Sequence, residues 1–375
     1  MKIKISKQLL HNILSKVMGF TERKTTLSIL SHVLLETNED LLIIKATDLN
    51  TSIQVSSPCT IEEQGACAVN CKDLLEVIRE MPDGDISLWT EKNIRLNIVL
   101  SKNKAKLNIM DAEEYPMVDL QQRGTGLSVD PEVIKSMIDK TIFSISTSSE
   151  TDTKYTLSGA KLSYGEDDVT GISFLEMTTT DSRRLSIIRQ DIPEKLDLGE
   201  GIILPRKGMQ ELRKLIEFGE EDSYVILTKD SLYYKSADTI ATVRLIEGRF
   251  PDFRGIQNLE MYTTHVIVNQ IELVNALKFC STMVSDVVNC VRFTFKSDQI
   301  ILYANNPERG DVEVPISCEQ KGEEVEINFN PRFFLDCLNH ISGEVELRLK
   351  GTQGPCLITP FGRHDCKWIV MPLRY

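Results

Sequence analysis

TTTDSRRLSIIR, residues 178–189, holds a run of threonines, an acidic turn at Asp181-Ser182, and a basic pair that leads into an apolar strand. Two other stretches share this form: KATDLNTSIQV at 45–55 and YANNPERGDVEV at 303–314. In each, an extended segment reaches a polar turn (Thr47-Asp48, Thr180-Asp181, Asn305-Asn306) and a second extended segment returns. The copies lie roughly 130 residues apart, as a tandem repeat of one structural unit requires.

Working outward, each copy sits in a block with the same order of elements. The blocks are 1–122, 123–253 and 254–375. Helical spacing of apolar residues predicts a first helix near residues 6, 131 and 270, and a second near 72, 206 and 332. In the first of these, Leu9, Leu10, Ile13, Leu14 and Val17 share one face. Ser6 is placed to cap that helix, and Asp130-Pro131 and Pro331 open two others. The helix at 131 is predicted to run to about 143, and a strand is predicted over 154–164. Each block closes on a strand followed by proline: Pro116, Pro251 and Pro372. The fold class is therefore α+β, three repeated domains, each with two helices and about eight strands.

Composition limits the function classes. A chain of 375 residues exceeds one core. No apolar run approaches the ~18–20 residues of a membrane helix, and the N-terminus does not read as a signal peptide. Nine cysteines, an odd number without a C-x-x-C pair, predict reduced thiols and a cytoplasmic location. Phosphate-binding loops, nucleophile elbows and zinc-helix motifs are missing, and the five histidines do not cluster in sequence. The net charge of −12 argues against a nucleic-acid partner until its distribution is considered. The six predicted helices together carry +3, which leaves −15 for the rest of the chain. Helices gathered on one side would make that side alone attractive to phosphate. Arg206-Lys207 opposes the dipole of its own helix, which suggests another use for that pair. Charge and helix placement add Lys72, Arg213 and Lys214 as candidate phosphate contacts.

TLSIL (26–30), ATDL (46–49), TTDSRRL (179–185), LPRKG (204–208), GRFPDF (248–253) and VMPLR (370–374) carry a family resemblance. With the triplication, they resemble the bacterial DNA sliding clamp, the beta subunit of DNA polymerase III, over the whole chain. The resemblance implies a head-to-tail homodimer forming a ring, with the helices lining a hole that holds duplex DNA. A size estimate agrees. A domain of about 125 residues has a radius of gyration near 14 Å and a diameter of roughly 35 Å. Six such domains leave a hole about 35 Å wide, enough for a duplex roughly 20 Å across, whereas three leave almost none. The resemblance also implies a processivity factor without catalysis or cofactor. Its implied partners are double-stranded and primed DNA, the polymerase III catalytic subunit, the clamp loader, and other polymerases and repair proteins bearing a short linear motif.

Position by position, the resemblance assigns Lys24, Arg206 and Lys207 to DNA and Tyr155 to single-stranded template. It assigns a peptide pocket to Leu157, Thr180, Arg183, Leu185, Pro251 and Ile256 from the middle of the chain. The pocket continues with Phe333 and with Ile369, Val370, Met371, Pro372, Leu373 and Arg374 at the end. Apolar residues at a free chain end fray unless they pack on a neighbour, which supports that assignment. Gly255 and Phe333 depart from the basic residue and tyrosine common at these positions. For the dimer seam, Thr282 and Met283 are expected to face Ala105 and Leu107 of a second copy. Two alternatives stand beside this reading: a triplicated peptide-binding scaffold that does not act on DNA, and a three-domain enzyme with its site at a domain junction.

Overall fold

The computed structural model describes the chain apart from residues 23–25, 93, 119, 123–125, 148–151, 168, 194–197, 220–221, 285–288 and 375, and apart from the side chains at 152–154 and 254. Six α-helices occur among the described residues. They are α1 (Lys7–Val17), α2 (Cys71–Glu80), α3 (Pro131–Asp139), α4 (Arg206–Glu217), α5 (Gln270–Ser281) and α6 (Pro331–Leu338). None is long and apolar enough to cross a membrane.

Local chemistry explains where the helices begin. The side chains of Ser6, Asn70, Asn269 and Asn330 accept backbone N–H bonds at the starts of α1, α2, α5 and α6. α1 buries Leu10, Ile13, Leu14 and Val17, but Leu9 is left 38% exposed at the edge of the predicted face. α3 ends at Asp139, earlier than predicted, and the chain continues through a 3₁₀ turn at Ile142–Ser144. The strand predicted over 154–164 is also corrected. Asp152–Ser158 is 3₁₀, and the strand is Gly159–Glu166. Alternating Tyr155 and Leu157 mimic a strand period there, but the turn bonds the Ser158 hydroxyl to the Tyr155 carbonyl at 2.6 Å.

The three repeated turns differ in detail. In the first, Asp48 Oδ1 accepts the N–H groups of Asn50 and Thr51 at 2.9 and 2.6 Å. In the second, Asp181 Oδ1 accepts those of Arg183 and Arg184 at 2.9 and 3.0 Å. The preceding threonine closes each of these turns: Thr47 donates to Thr51 O at 3.0 Å and Thr180 to Arg184 O at 2.6 Å. Leu49 and Ser182 occupy the left-handed region, at φ 75° and 73°. The third copy is tighter. Asn306 Oδ1 accepts only Glu308 N–H, and Gly310 follows at φ 112°.

The strands form two antiparallel sheets, of thirteen and twelve strands. Neither respects the block borders. Thr239–Arg244 of the middle block pairs with Thr51–Pro58 of the first, in register Thr239↔Val55 to Val243↔Thr51. Arg184–Asp191 pairs with Cys366–Val370 of the third, in register Arg184↔Val370 to Ile188↔Cys366. The chain accordingly forms two compact units, Met1–Lys135 with Lys207–Leu245, and Ser136–Arg206 with Ile246–Tyr375.

Candidate functional site

The second unit contains an apolar cluster built on adjacent strands. Leu185 lies opposite Ile369, and Ile369 opposite Leu357. These three, with Ile187 and Tyr262, are buried together, and the half-buried Phe253, Ile256 and Met261 pack against them. Leu185, Ile256 and Ile369 are thus brought into one place from three distant segments. Beyond Ile369, Val370 is fully buried, and Met371, Pro372 and Leu373 remain half-buried. Two backbone bonds hold this tail: Met371 N–H to Arg183 O at 2.9 Å and Leu373 N–H to Asn328 O at 2.8 Å. The half-buried Met371 and Leu373 thus follow directly on a strand whose Ile369 belongs to the buried apolar cluster.

The other assigned residues fall differently. Thr180 sits opposite Leu185, with its hydroxyl spent on the turn. Leu157 is buried outside the cluster, while Arg183, Pro251 and Arg374 are exposed. Phe333 on α6 is buried beneath Arg184, whose guanidinium carbon lies 4.4 Å from the ring centroid. Arg184 is the most connected cation here. It bonds Asp181 at 3.0 Å, Asp336 at 2.6 Å and the carbonyl of Phe143. Phe143 in turn stacks on His340 with ring centroids 5.7 Å apart. Burial pulls the His340 pKa below its ordinary value, with Asp139 opposing that shift and Lys140 adding to it. Sequence reasoning missed Arg184, Phe253, Met261 and Tyr262; the doubled arginine at 183–184 was the signal for the first.

The described cations assigned to DNA are all engaged. Lys24 lies outside the described residues. Arg206 donates to Ile145 O at 3.1 Å, and burial first, then Arg184, lowers its pKa. Lys207 meets Asp48 at 2.5 Å and donates to Thr21 O at 3.1 Å. Lys72 faces Glu76, Arg213 faces Glu217, and Lys214 bonds the buried Glu211 at 2.8 Å. Tyr155 is 62% exposed, as a base-stacking ring would need.

At the expected seam, Ala105 and Leu107 are half-buried on the strand Asn103–Met110. Residues 103–108 of that strand pair with Arg95–Leu100 on one side only, among the described residues. Residues 310–317 of Gly310–Lys321 likewise pair only with Gln299–Asn306. Thr282 is exposed and bonds back to Phe279 O, and Met283 is half-buried just after α5. A larger apolar signal on the preceding helix, missed in the sequence, is Phe279 in the last turn of α5 and Ile271 in its first, 56% and 63% exposed. No group of three or more His, Cys, Asp or Glu suited to a metal occurs among the described residues.

Comparison with known proteins covers the whole chain. The DNA polymerase III beta subunit models match in order: the N-terminal domain at residues 1–119, the central domain at 128–252 and the C-terminal domain at 260–374. The beta sliding clamp of Chlamydia muridarum is 28% identical over 377 residues, covering 100% of this chain and 99% of that protein. A crystal structure of the Bartonella birtlesii sliding clamp bound to griselimycin superposes with a TM-score of 0.91 at 28% identity, covering 100% of both chains. The Caulobacter crescentus beta sliding clamp, solved with PEG bound to its putative beta-motif tethering region, gives 0.91 at 27% identity, covering 100% of this chain and 99% of that one. This chain belongs to the family of the DNA polymerase III beta subunit, the bacterial DNA sliding clamp.

Proposed function

We propose that this chain, a DNA sliding clamp by family, closes as a head-to-tail homodimer around duplex DNA and tethers the replicative polymerase there. It does so without catalysis, as a processivity factor in the bacterial cytoplasm. Its three repeats are 1–122, 123–253 and 254–375. The observation that carries the reading is the match of all three domains in order along one chain. Two half-paired strands support ring closure. An open edge is a liability unless something covers it. The edge at 103–108 carries Lys104 and Lys106, and the edge at 310–317 carries Asp311 and Glu313. A second copy placed head to tail would set the basic edge of one protomer against the acidic edge of the other, with Phe279 close to the seam. The pocket at Leu185, Ile256, Ile369 and Met371 would take the apolar motif of the polymerase, the clamp loader and repair proteins.

Topology, rather than tight phosphate contact, then holds the DNA. After loading by a clamp loader, the ring should remain on nicked circular DNA and be lost when the circle is cut. Equal retention on circular and linear DNA would sink the topological mechanism. One observation favours a peptide-binding scaffold instead: the described candidate cations all have partners within the chain. A chain that bound partner peptides yet was never retained on circles would be such a scaffold.

A further inference from the structure

The cations assigned to DNA are not equivalent. Lys72 pairs with Glu76 at 3.7 Å and Arg213 with Glu217 at 3.0 Å, each partner a helical turn away. All four side chains are more than a third exposed. Such pairs are weak and yield to a competing anion. Lys207 differs. Its ammonium meets Asp48 Oδ2 at 2.5 Å, Thr21 O at 3.1 Å and Glu22 Oε2 at 3.7 Å. A lysine has three N–H donors, and three acceptors surround these. The Asp48 side chain is only 5% exposed. Its other oxygen takes the Asn50 and Thr51 N–H groups at 2.9 and 2.6 Å. The carboxylate therefore cannot swing aside without stranding two backbone donors.

We propose that Asp48 is a built-in counter-ion that withholds the Lys207 ammonium from DNA phosphate. Lys207 is then a positioning residue, tying the start of α4 to the turn at 47–51 and to the chain at Thr21. A phosphate arriving from solvent is hydrated and screened, whereas Asp48 is buried and already in contact. The phosphate loses that competition at Lys207 and wins it at Lys72 and Arg213. The clamp thus keeps its grip on DNA loose by internal neutralisation of one cation, without deleting it. This inference rests on the reading of the chain as a DNA clamp.

The test is binding of a short labelled duplex by fluorescence anisotropy across a salt series. Each lost phosphate contact lowers the log–log salt slope by about 0.9. Lys72→Gln and Arg213→Gln should flatten the slope in this way, and Lys207→Gln should leave it unchanged. Asp48→Asn should free the ammonium, tighten binding several-fold and steepen the slope. Adding Lys207→Gln to Asp48→Asn should cancel that gain. A Lys207→Gln slope as flat as that of Lys72→Gln would overturn the proposal, as would an Asp48→Asn chain with unchanged affinity. If Lys207→Gln alone fails to fold because Asp48 is left unpaired, Asp48→Asn and the double variant carry the test. Salt-insensitive binding in the wild type and every variant would overturn the DNA reading itself, and the proposal with it.

Discussion

Arg184 shows how far one side chain can reach. It draws together the turn at Asp181, the 3₁₀ turn at Phe143 and helix α6 at Asp336. Its side chain is 11% exposed, so Arg184→Met strands two carboxylates that are themselves largely covered. The expected cost is about 3 kcal/mol, the low end for breaking a buried pair, read as a lowered unfolding transition. Peptide binding should weaken as well, because Phe333 loses the guanidinium above it. Leu185→Asp puts a charge into the apolar cluster and should abolish partner-peptide binding while dimerisation persists. Unchanged binding would remove Leu185 from the pocket. His340 gives a pH dependence. Its folded pKa lies below the unfolded value of roughly 6.5, so the unfolded chain takes up the proton first on acidification. Stability should therefore fall as pH drops from about 6.5 toward the folded value, and then level off. His32, also lowered by burial, adds in the same direction. Thermal melts at neutral and mildly acidic pH should show the loss, and His340→Asn should remove part of it. At this scale the sequence was partly legible. The aspartates at 48 and 181 announced their turns, because such capping is local. The Arg184–Asp336 bond spans 152 residues and leaves no local trace.

The helices were the most readable elements, because caps and apolar spacing are written within one segment. Asn269 caps α5 with bonds from two N–H groups, Ile271 at 3.0 Å and Glu272 at 3.2 Å. Asn269→Ala should cost ~1 kcal/mol, and Asn269→Ser much less, by the same unfolding measurement. The strands read less well. Short runs such as Ala66–Asn70 and Ile202–Pro205 are buried from neighbouring strands and carry no clear alternation. Around Tyr155, period-two spacing predicted a strand where a hydroxyl-to-carbonyl bond closes a 3₁₀ turn instead. Leu185 and Ile369, assigned to the candidate pocket by resemblance, fall in one buried cluster. Met261 and Tyr262 join that cluster unannounced, because the 3₁₀ turn that Met261 ends and Tyr262 caps has no periodic signature.

For the whole molecule, the prediction concerns assembly. Lys104→Glu with Lys106→Glu should repel the acidic edge at Asp311 and Glu313. In sedimentation the dimer should weaken markedly, and Asp311→Lys with Glu313→Lys in the same chain should restore it. A dimer indifferent to both changes would mean that these edges do not meet. The three repeats were legible because periodicity survives at the level of sequence. The assignment of strands to sheets was not, because pairing across block borders depends on edges that the sequence leaves unmarked.

That pairing bears on how the chain can be divided. Cut out at 123–253, the middle repeat would lose Thr51–Pro58 from one flank and Cys366–Val370 from the other. Two edges covered in the whole chain would be laid bare, and uncovered edges invite pairing with further copies. Such a fragment should precipitate on expression. The two halves of the middle repeat are each finished by a different neighbour.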